Sequence, residues 1–169
     1  MSISSITETT QYLSFKLGEE IFAVDVAKVR EILDVIAITK VPQTPDFMRG
    51  IINLRGSVVP VMDMRLKFGM PPTERTVNTC IIVMEVSQDG LTMVLGSLAD
   101  SVQEVLDLEP EQIEPAPRIG TRLRSDYIKG MGKHNERFII ILDVDRIFSS
   151  GELEVIAGAL NADEQEEAA

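Results

Sequence analysis

The sequence predicts a mainly β protein made of two related small barrels packed together, with a few short helices. Three observations carry that prediction. Phe47-Met48-Arg49-Gly50 returns as Tyr127-Ile128-Lys129-Gly130 at an offset of 80 residues, and at the same offset Val58 to Asp63 lies over Phe138 to Asp143 and Phe68 over Phe148. Val29-Arg30-Glu31-Ile32-Leu33 matches Val102-Gln103-Glu104-Val105-Leu106 at an offset of 73. Self-similarity at a fixed spacing marks a duplicated unit, and two copies are too few for a solenoid. Finally, short apolar runs alternate with tight-turn residues along the chain, the pattern of small barrels and not of a doubly wound sheet.

Residues 1–10 are polar and rich in Ser and Thr, and read as a disordered arm. Tyr12 to Leu17 and Ile21 to Val24, joined by Gly18-Glu19-Glu20, read as a hairpin. Asp25 can cap a short helix, with Val26, Val29 and Leu33 on one helical face. Pro42 and Pro45 break the path around a loop. Ile51 to Leu54 and Val58 to Val61 flank a tight turn at Arg55-Gly56-Ser57. Pro60 cannot donate to a ladder, which puts its strand at an edge or interrupts it there. Asp63 to Phe68 reads as a short capped helix ended by Gly69-Met70-Pro71-Pro72, and that stretch divides the halves near residue 75. A second hairpin turns about Gln88-Asp89-Gly90, a segment through Val102 and Val105 follows, and Pro110, Pro115 and Pro117 mark an irregular loop. Ile128 to Met131 and Phe138 to Leu142 flank Lys133-His134-Asn135-Glu136, and a capped helix covers Asp143 to Phe148. The expected limits are a first barrel at about 18–75, a second at about 79–148, a helix at about 152–160, and an acidic disordered tail at 161–169.

The composition excludes more than it selects. With 169 residues and 44% hydrophobic content the chain can bury a core without staples. A single cysteine, Cys80, excludes a disulfide framework and a Cys-based zinc site, and suits a reducing cytosol. The start of the chain lacks the basic and apolar regions of a signal peptide, so a cytoplasmic location is expected. A net charge of −11 argues against nucleic acid and against direct docking on anionic lipid. His134 is the only histidine, which removes His-based metal sites, and no glycine loop of phosphate-binding form occurs. Asp63 and Asp143 offer a carboxylate pair to an acidic enzyme, but both fall where a helix cap is expected. A ligand-binding sensor domain is the other alternative, although 5% aromatic content and no Trp give little material for an apolar pocket.

Two features invite a recognition role. Asn53-Leu54-Arg55-Gly56 has the unlike counterpart Lys133-His134-Asn135-Glu136, and a loop that diverges between persistent strands reads either as a recognition surface on one half or as an ordinary solvated turn. The repeated Val-x-Glu-(Ile/Val)-Leu puts Ile32 and Val105 either in the core or along a groove.

The same residues carry a family resemblance. Phe15 to Val26, Val29-Arg30-Glu31-Ile32 and Gly50-Ile51-Ile52-Asn53-Leu54-Arg55-Gly56-Ser57-Val58-Val59-Pro60-Val61-Met62-Asp63 resemble the bacterial chemotaxis coupling proteins, the CheW family. The likeness continues through Asp100-Ser101-Val102, Ile113 to Pro117 and Tyr127 to Gly130, covering about residues 11–150 in order. It implies two five-stranded SH3-like barrels, and a non-catalytic adaptor without cofactor or metal. It also implies two partners, the regulatory domain of the histidine kinase CheA and the cytoplasmic tips of methyl-accepting chemoreceptors, so that the membrane is reached only through receptor arrays. Carried over by position, Arg55, Glu31 and Gly50 match the kinase-binding region, and Ile119 matches the second kinase contact, where the family often carries an aromatic. Val29, Ile32 and Val102 match positions lining the receptor groove, and Cys80 and Ile81 a strand tied to receptor binding.

Overall fold

A computed structural model describes residues 10–115 and 127–168, with side chains through residue 160. The arm at residues 1–9 and Ile119 lie outside the described residues. Eleven strands are described: β1 (Thr10–Leu17), β2 (Glu20–Asp25), β3 (Val29–Asp34), β4 (Met48–Leu54), β5 (Ser57–Met62), β6 (Cys80–Gln88), β7 (Leu91–Ala99), β8 (Ser101–Leu108), β9 (Ile113–Glu114), β10 (Ile128–His134) and β11 (Arg137–Leu142). Three helices accompany them, α1 (Met64–Lys67), α2 (Val144–Ile147) and α3 (Ser150–Ala168). The backbone of α3 runs beyond residue 160, through a stretch expected to be a disordered tail.

The strands form a five-stranded sheet of order β3-β6-β7-β5-β4 and a six-stranded sheet of order β8-β1-β2-β11-β10-β9. The first barrel is therefore continuous from 29 to 99, and the second is assembled from 10–25 and 101–142. This corrects the limits of 18–75 and 79–148 and the division near residue 75. The N-terminal hairpin β1–β2 joins the later strands, and the β6–β7 hairpin joins the earlier ones. Parallel pairing fixes both exchanges: Phe22 and Ala23 of β2 lie beside Ile140 and Ile141 of β11, and Gly96 and Ser97 of β7 beside Val61 and Met62 of β5. The ladder from β5 to β7 begins only at Val61, one residue past Pro60, so the missing proline N–H interrupts an inner strand and does not mark an edge.

The expected helix after Asp25 shrinks to a 3-10 turn, Val26–Lys28, with the Asp25 carboxylate accepting from Ala27 N at 2.9 Å. Val29 to Asp34 is instead a strand, with Arg30, Ile32 and Asp34 exposed and the residues between them half-buried. Spacing of Val26, Val29 and Leu33 suits a helix, but pairing along β6 from Met84 to Cys80 satisfies the backbone better, and branched side chains favour the pleat.

Equivalent positions behave alike at an offset of 80. β4 and β10 each carry an irregularity next to a glycine, between Met48 and Gly50 and between Ile128 and Gly130. A Cβ on Gly50 would meet Thr39 O at 2.2 Å, and one on Gly130 would meet Ile113 Cγ2 at 2.6 Å. Both glycines exist because another strand segment crosses there; a bridge between Thr39 and Ile51 answers the pairing of Glu114 with Met131. Asp63 and Asp143 cap α1 and α2, accepting from Arg65 N and Asp145 N.

Each barrel holds its own core, Ile52, Val59, Val61, Ile81, Val83 and Leu98 in the first and Tyr12, Ala23, Leu106, Leu108, Ile139 and Ile141 among those in the second. A third core joins the barrels and contains Phe15, Phe22, Met62, Met84, Phe68, Tyr127, Phe148 and, from α3, Leu153 and Ile156. Across it Phe47 meets Phe148 with ring centroids 5.4 Å apart, and Phe68 meets Tyr127 at 6.0 Å. These two pairs exchange under the repeat, as in a two-fold interface folded into one chain. Charged clamps secure the two crossovers between sheets. Arg65 of α1 reaches Asp100 at 2.8 Å, and Asp100 also accepts from Gly18 N at 2.5 Å. Asp145 of α2 holds Lys28 at 2.8 Å and accepts from Ser87 N at 2.8 Å. Arg65 and Asp145 are repeat partners with opposite charge.

Candidate functional site

The turn between β4 and β5 holds Arg55 at φ 51° and Gly56 at φ 87°. Positive φ at both central residues is the geometry that matches strand twist in a two-residue hairpin, and Gly56 N donates to Asn53 Oδ1 at 2.9 Å. Glycine takes this conformation freely, whereas arginine adopts it uncommonly. The strained position aims Arg55 at the edge strand β3, where its Nη1 donates to Glu31 Oε1 at 3.2 Å and its Nη2 to Glu31 Oε2. That hydrogen bond from Arg55 holds the Glu31 carboxyl below its ordinary range, and Glu31 in turn raises the guanidinium. The pair stays in solvent, with the Arg55 side chain 71% exposed. Beside Glu31 in β3, Ile32 is 45% exposed. A planar cationic fork on a fixed turn, next to an edge strand whose opposite face bares Ile32, is well made for docking and poorly made for stability.

Gly50 sits in β4 under the crossing of Thr39, so its identity has a packing cause whatever it contacts in a complex. Val29 and Val102 are half-buried at the starts of β3 and β8, where the chain crosses between sheets, and both pack on the core between the barrels. Burial pushes the Cys80 thiol up, and the backbone N–H of Val102, facing the sulfur, offsets only part of that rise. Cys80 and Ile81 are not surface residues. Cys80 lies in the inter-barrel core, and Ile81 is fully buried inside the first barrel against Gly96. A partner can feel Ile81 only through the packing of β6. The sequence positions thus separate into an exposed corner (Arg55 and Glu31), the outward face of β3 (Ile32) and an inter-barrel seam (Val29, Val102, Cys80).

The second barrel has a muted copy of that corner. Glu104, the repeat partner of Glu31, lies 3.7 Å from His134 Nε2, and Val105, the partner of Ile32, is 52% exposed. Asn135 and Glu136 take the turn with φ 52° and 64°, so the backbone device is conserved while the arginine is not.

The carboxylates that might have served an enzyme are occupied. Asp63 is wholly buried and accepts from Thr73 N at 2.9 Å, Thr73 Oγ1 at 2.7 Å, Arg65 N at 3.1 Å and Arg49 Nη1 at 3.2 Å. Asp143 caps another helix and faces Arg146 Nε at 3.6 Å. Among the described residues no group of three or more His, Cys, Asp or Glu side chains could hold a metal ion. Among the described residues no helix is long and apolar enough to cross a membrane. Hollows of about 220 Å³ beside Arg49 and 180 Å³ beside His134 fall below the usual size of small-molecule pockets, and a larger one of about 600 Å³ between Asp34, Arg75 and Thr79 has the size but lies wide open to solvent.

One constellation escaped the sequence reading. Ser149 and Glu152 form a reciprocal cap on α3, Glu152 N donating to Ser149 Oγ at 3.0 Å and Ser149 N to Glu152 Oε1 at 2.9 Å. The spacing Ser-x-x-Glu was the available signal. Glu152 also binds Lys67 through both oxygens, at 2.9 and 2.7 Å, and no local pattern announces that pairing.

Comparison with known proteins agrees with this geometry. A family model described as the CheW-like domain matches residues 11–152. A protein named chemotaxis protein CheW from Klebsiella aerogenes is 38% identical over 146 residues, covering 86% of each chain. A probable chemotaxis protein CheW from Rhizobium etli is 33% identical over 144 residues, covering 85% of this chain and 90% of the relative. The crystal structure of the scaffolding protein TtCheW from Thermoanaerobacter tengcongensis superposes with a TM-score of 0.75 at 32% identity, covering 85% of this chain and 90% of that one. Its two-barrel architecture is the one described above, and the chain belongs to the CheW-like family.

Proposed function

We propose that this protein is a non-catalytic adaptor of bacterial chemosensory signalling, coupling cytoplasmic chemoreceptor tips to the regulatory domain of the histidine kinase CheA. The observation that carries the reading is Arg55, held at positive φ on an exposed turn and aimed by Glu31. The hairpin itself needs positive φ here, as it does at Asn135 and Asp89, but an asparagine, aspartate or glycine would serve that need better, so the choice of arginine at an exposed turn calls for a use outside the fold. Arg55, Glu31 and Gly50 then belong to the kinase-binding side of the first barrel, with Ile119 in the second kinase contact. Val29, Ile32 and Val102 serve the receptor side, offering apolar anchors to a helical hairpin. Cys80 acts there through packing alone, and so does Ile81. The protein works in the cytoplasm, recruited to membrane arrays through its partners and without a cofactor.

Calorimetric titration with the CheA regulatory domain tests the reading. Arg55→Ala is expected to melt like wild type and to bind about tenfold or more weakly, because truncating an arginine anchor in a desolvated contact costs far more than an exposed ion pair gives the fold. Equal binding by the two proteins would remove Arg55 from the interface, and a folded wild type that binds no CheA domain would overturn the adaptor reading.

A further inference from the structure

Lys67 is the place where the repeat is broken inside the seam. Its partner at an offset of 80 is Ile147, a buried apolar residue of α2. The Lys67 side chain is only 12% exposed, yet it carries a charge into the joint between the barrels. The ammonium lies 4.9 Å from the Phe47 ring centre, 5.6 Å from Tyr127 and 5.9 Å from Phe148. Three ring faces and the Glu152 carboxylate complete its surroundings, an arrangement that attracts a cation strongly once water is excluded. These partners come from separate places. Phe47 enters β4 of the first barrel, Tyr127 enters β10 of the second, Phe148 follows α2, and Glu152 opens α3. An isoleucine at 67 could fill similar space, but apolar surfaces tolerate sliding and lose a unique arrangement before they lose stability. A desolvated ammonium does not, because movement of any partner leaves a charge unsatisfied.

We propose that Lys67 is a positioning residue that pins both barrels and α3 in one mutual orientation and so sets the separation of Val29 and Val102. Those two valines stand at the crossovers between sheets, which makes their spacing a direct readout of inter-barrel geometry. Lys67 thereby tunes the receptor side of the molecule and leaves the Arg55–Glu31 corner, contained within one barrel, unaffected. The link to receptor binding rests on the adaptor reading; the pin itself does not.

The test uses the full chain with spin labels on cysteines placed at the exposed, repeat-equivalent positions Ser57 and Arg137, with the buried seam residue Cys80 kept, and reads affinities on the unlabelled protein. In Lys67→Met the label-to-label distance distribution is expected to broaden while the protein still unfolds cooperatively. Affinity for a receptor-tip fragment should fall about tenfold, a change of roughly 1.4 kcal/mol, with affinity for the CheA regulatory domain held within about twofold. Glu152→Gln provides the second variant, because glutamine keeps the reciprocal cap with Ser149 but removes the counter-charge; it should broaden the distribution in the same direction. A wild-type-like distance distribution in a folded variant overturns the pin. So does a parallel loss of both affinities, which marks general destabilisation. If wild type binds neither partner, the adaptor reading fails, and the distance measurement still decides the role of Lys67.

Discussion

Asp63 and Asp143 cap equivalent helices, but only Asp63 is sealed from solvent, with Thr73, Arg65 and Arg49 all donating to it. Asp63→Ala should therefore cost about 3 kcal/mol, the range for breaking a buried charged network, against about 1 kcal/mol for Asp143→Ala as a simple cap loss. Urea unfolding of the two variants checks this, and equal losses would mean that the buried donors are readily rehydrated. Both residues were legible as caps, because an aspartate before a short apolar-periodic stretch has few other uses. Arg55 stood out for a different reason, as a charged turn residue lacking a counterpart in the other half. The burial of Cys80 and Ile81 was legible from their strongly apolar strand, but which core each side chain fills was not. A strand of Cys-Ile-Ile-Val-Met reads as apolar on both faces, and only the assembled barrels show that one face fills a barrel while the other fills the seam.

At the level of elements, α3 depends on Glu152 for both its first turn and its attachment. Burial alone would raise the Glu152 carboxyl, but hydrogen bonds from Lys67 and Ser149 more than offset this, and it lies below its ordinary value of 4.5. A carboxyl whose folded value is depressed stabilises the fold above its unfolded value and loses that contribution as pH falls through the folded one. Docking of α3 should thus hold at neutral pH and weaken progressively in acid below about 4.5. Amide exchange across Leu153 to Leu160 measures this; Glu152→Gln should flatten the dependence, and an unchanged profile in that variant would assign the acid loss to other carboxyls. The elements themselves were mostly open to reading. Apolar runs, prolines and turn residues locate the hairpins without reference to anything distant. The strand β3 was not, since Val26, Val29 and Leu33 satisfy a helical spacing, and its actual state is decided by the partner β6, some fifty residues away in sequence.

For the whole molecule, the repeat announced two barrels but could not say which hairpin each would take. Pairing β1 with β8 and β2 with β11 leaves no local mark on any of those strands. The seam is a core in its own right, so a fragment of residues 29–99 would expose Met48, Met62, Ile82, Met84 and Leu95 to water. Such a fragment should give a collapsed spectrum by NMR while the full chain melts in one transition. A dispersed spectrum would make the first barrel an independent unit and the seam a mere contact. The nested connectivity also bears on how the protein is made. As the chain leaves the ribosome, β1 and β2 emerge first, yet the strands that flank them, β8 and β11, are among the last to be synthesised. The strands of the inner barrel can begin to pair once residue 99 is free, with their seam face still bare, whereas the N-terminal hairpin must wait with an unpaired edge, a state open to aggregation. Lys16, Glu19 and Glu20 around the hairpin turn suit that interval, since charge at a waiting edge keeps nascent neighbours apart.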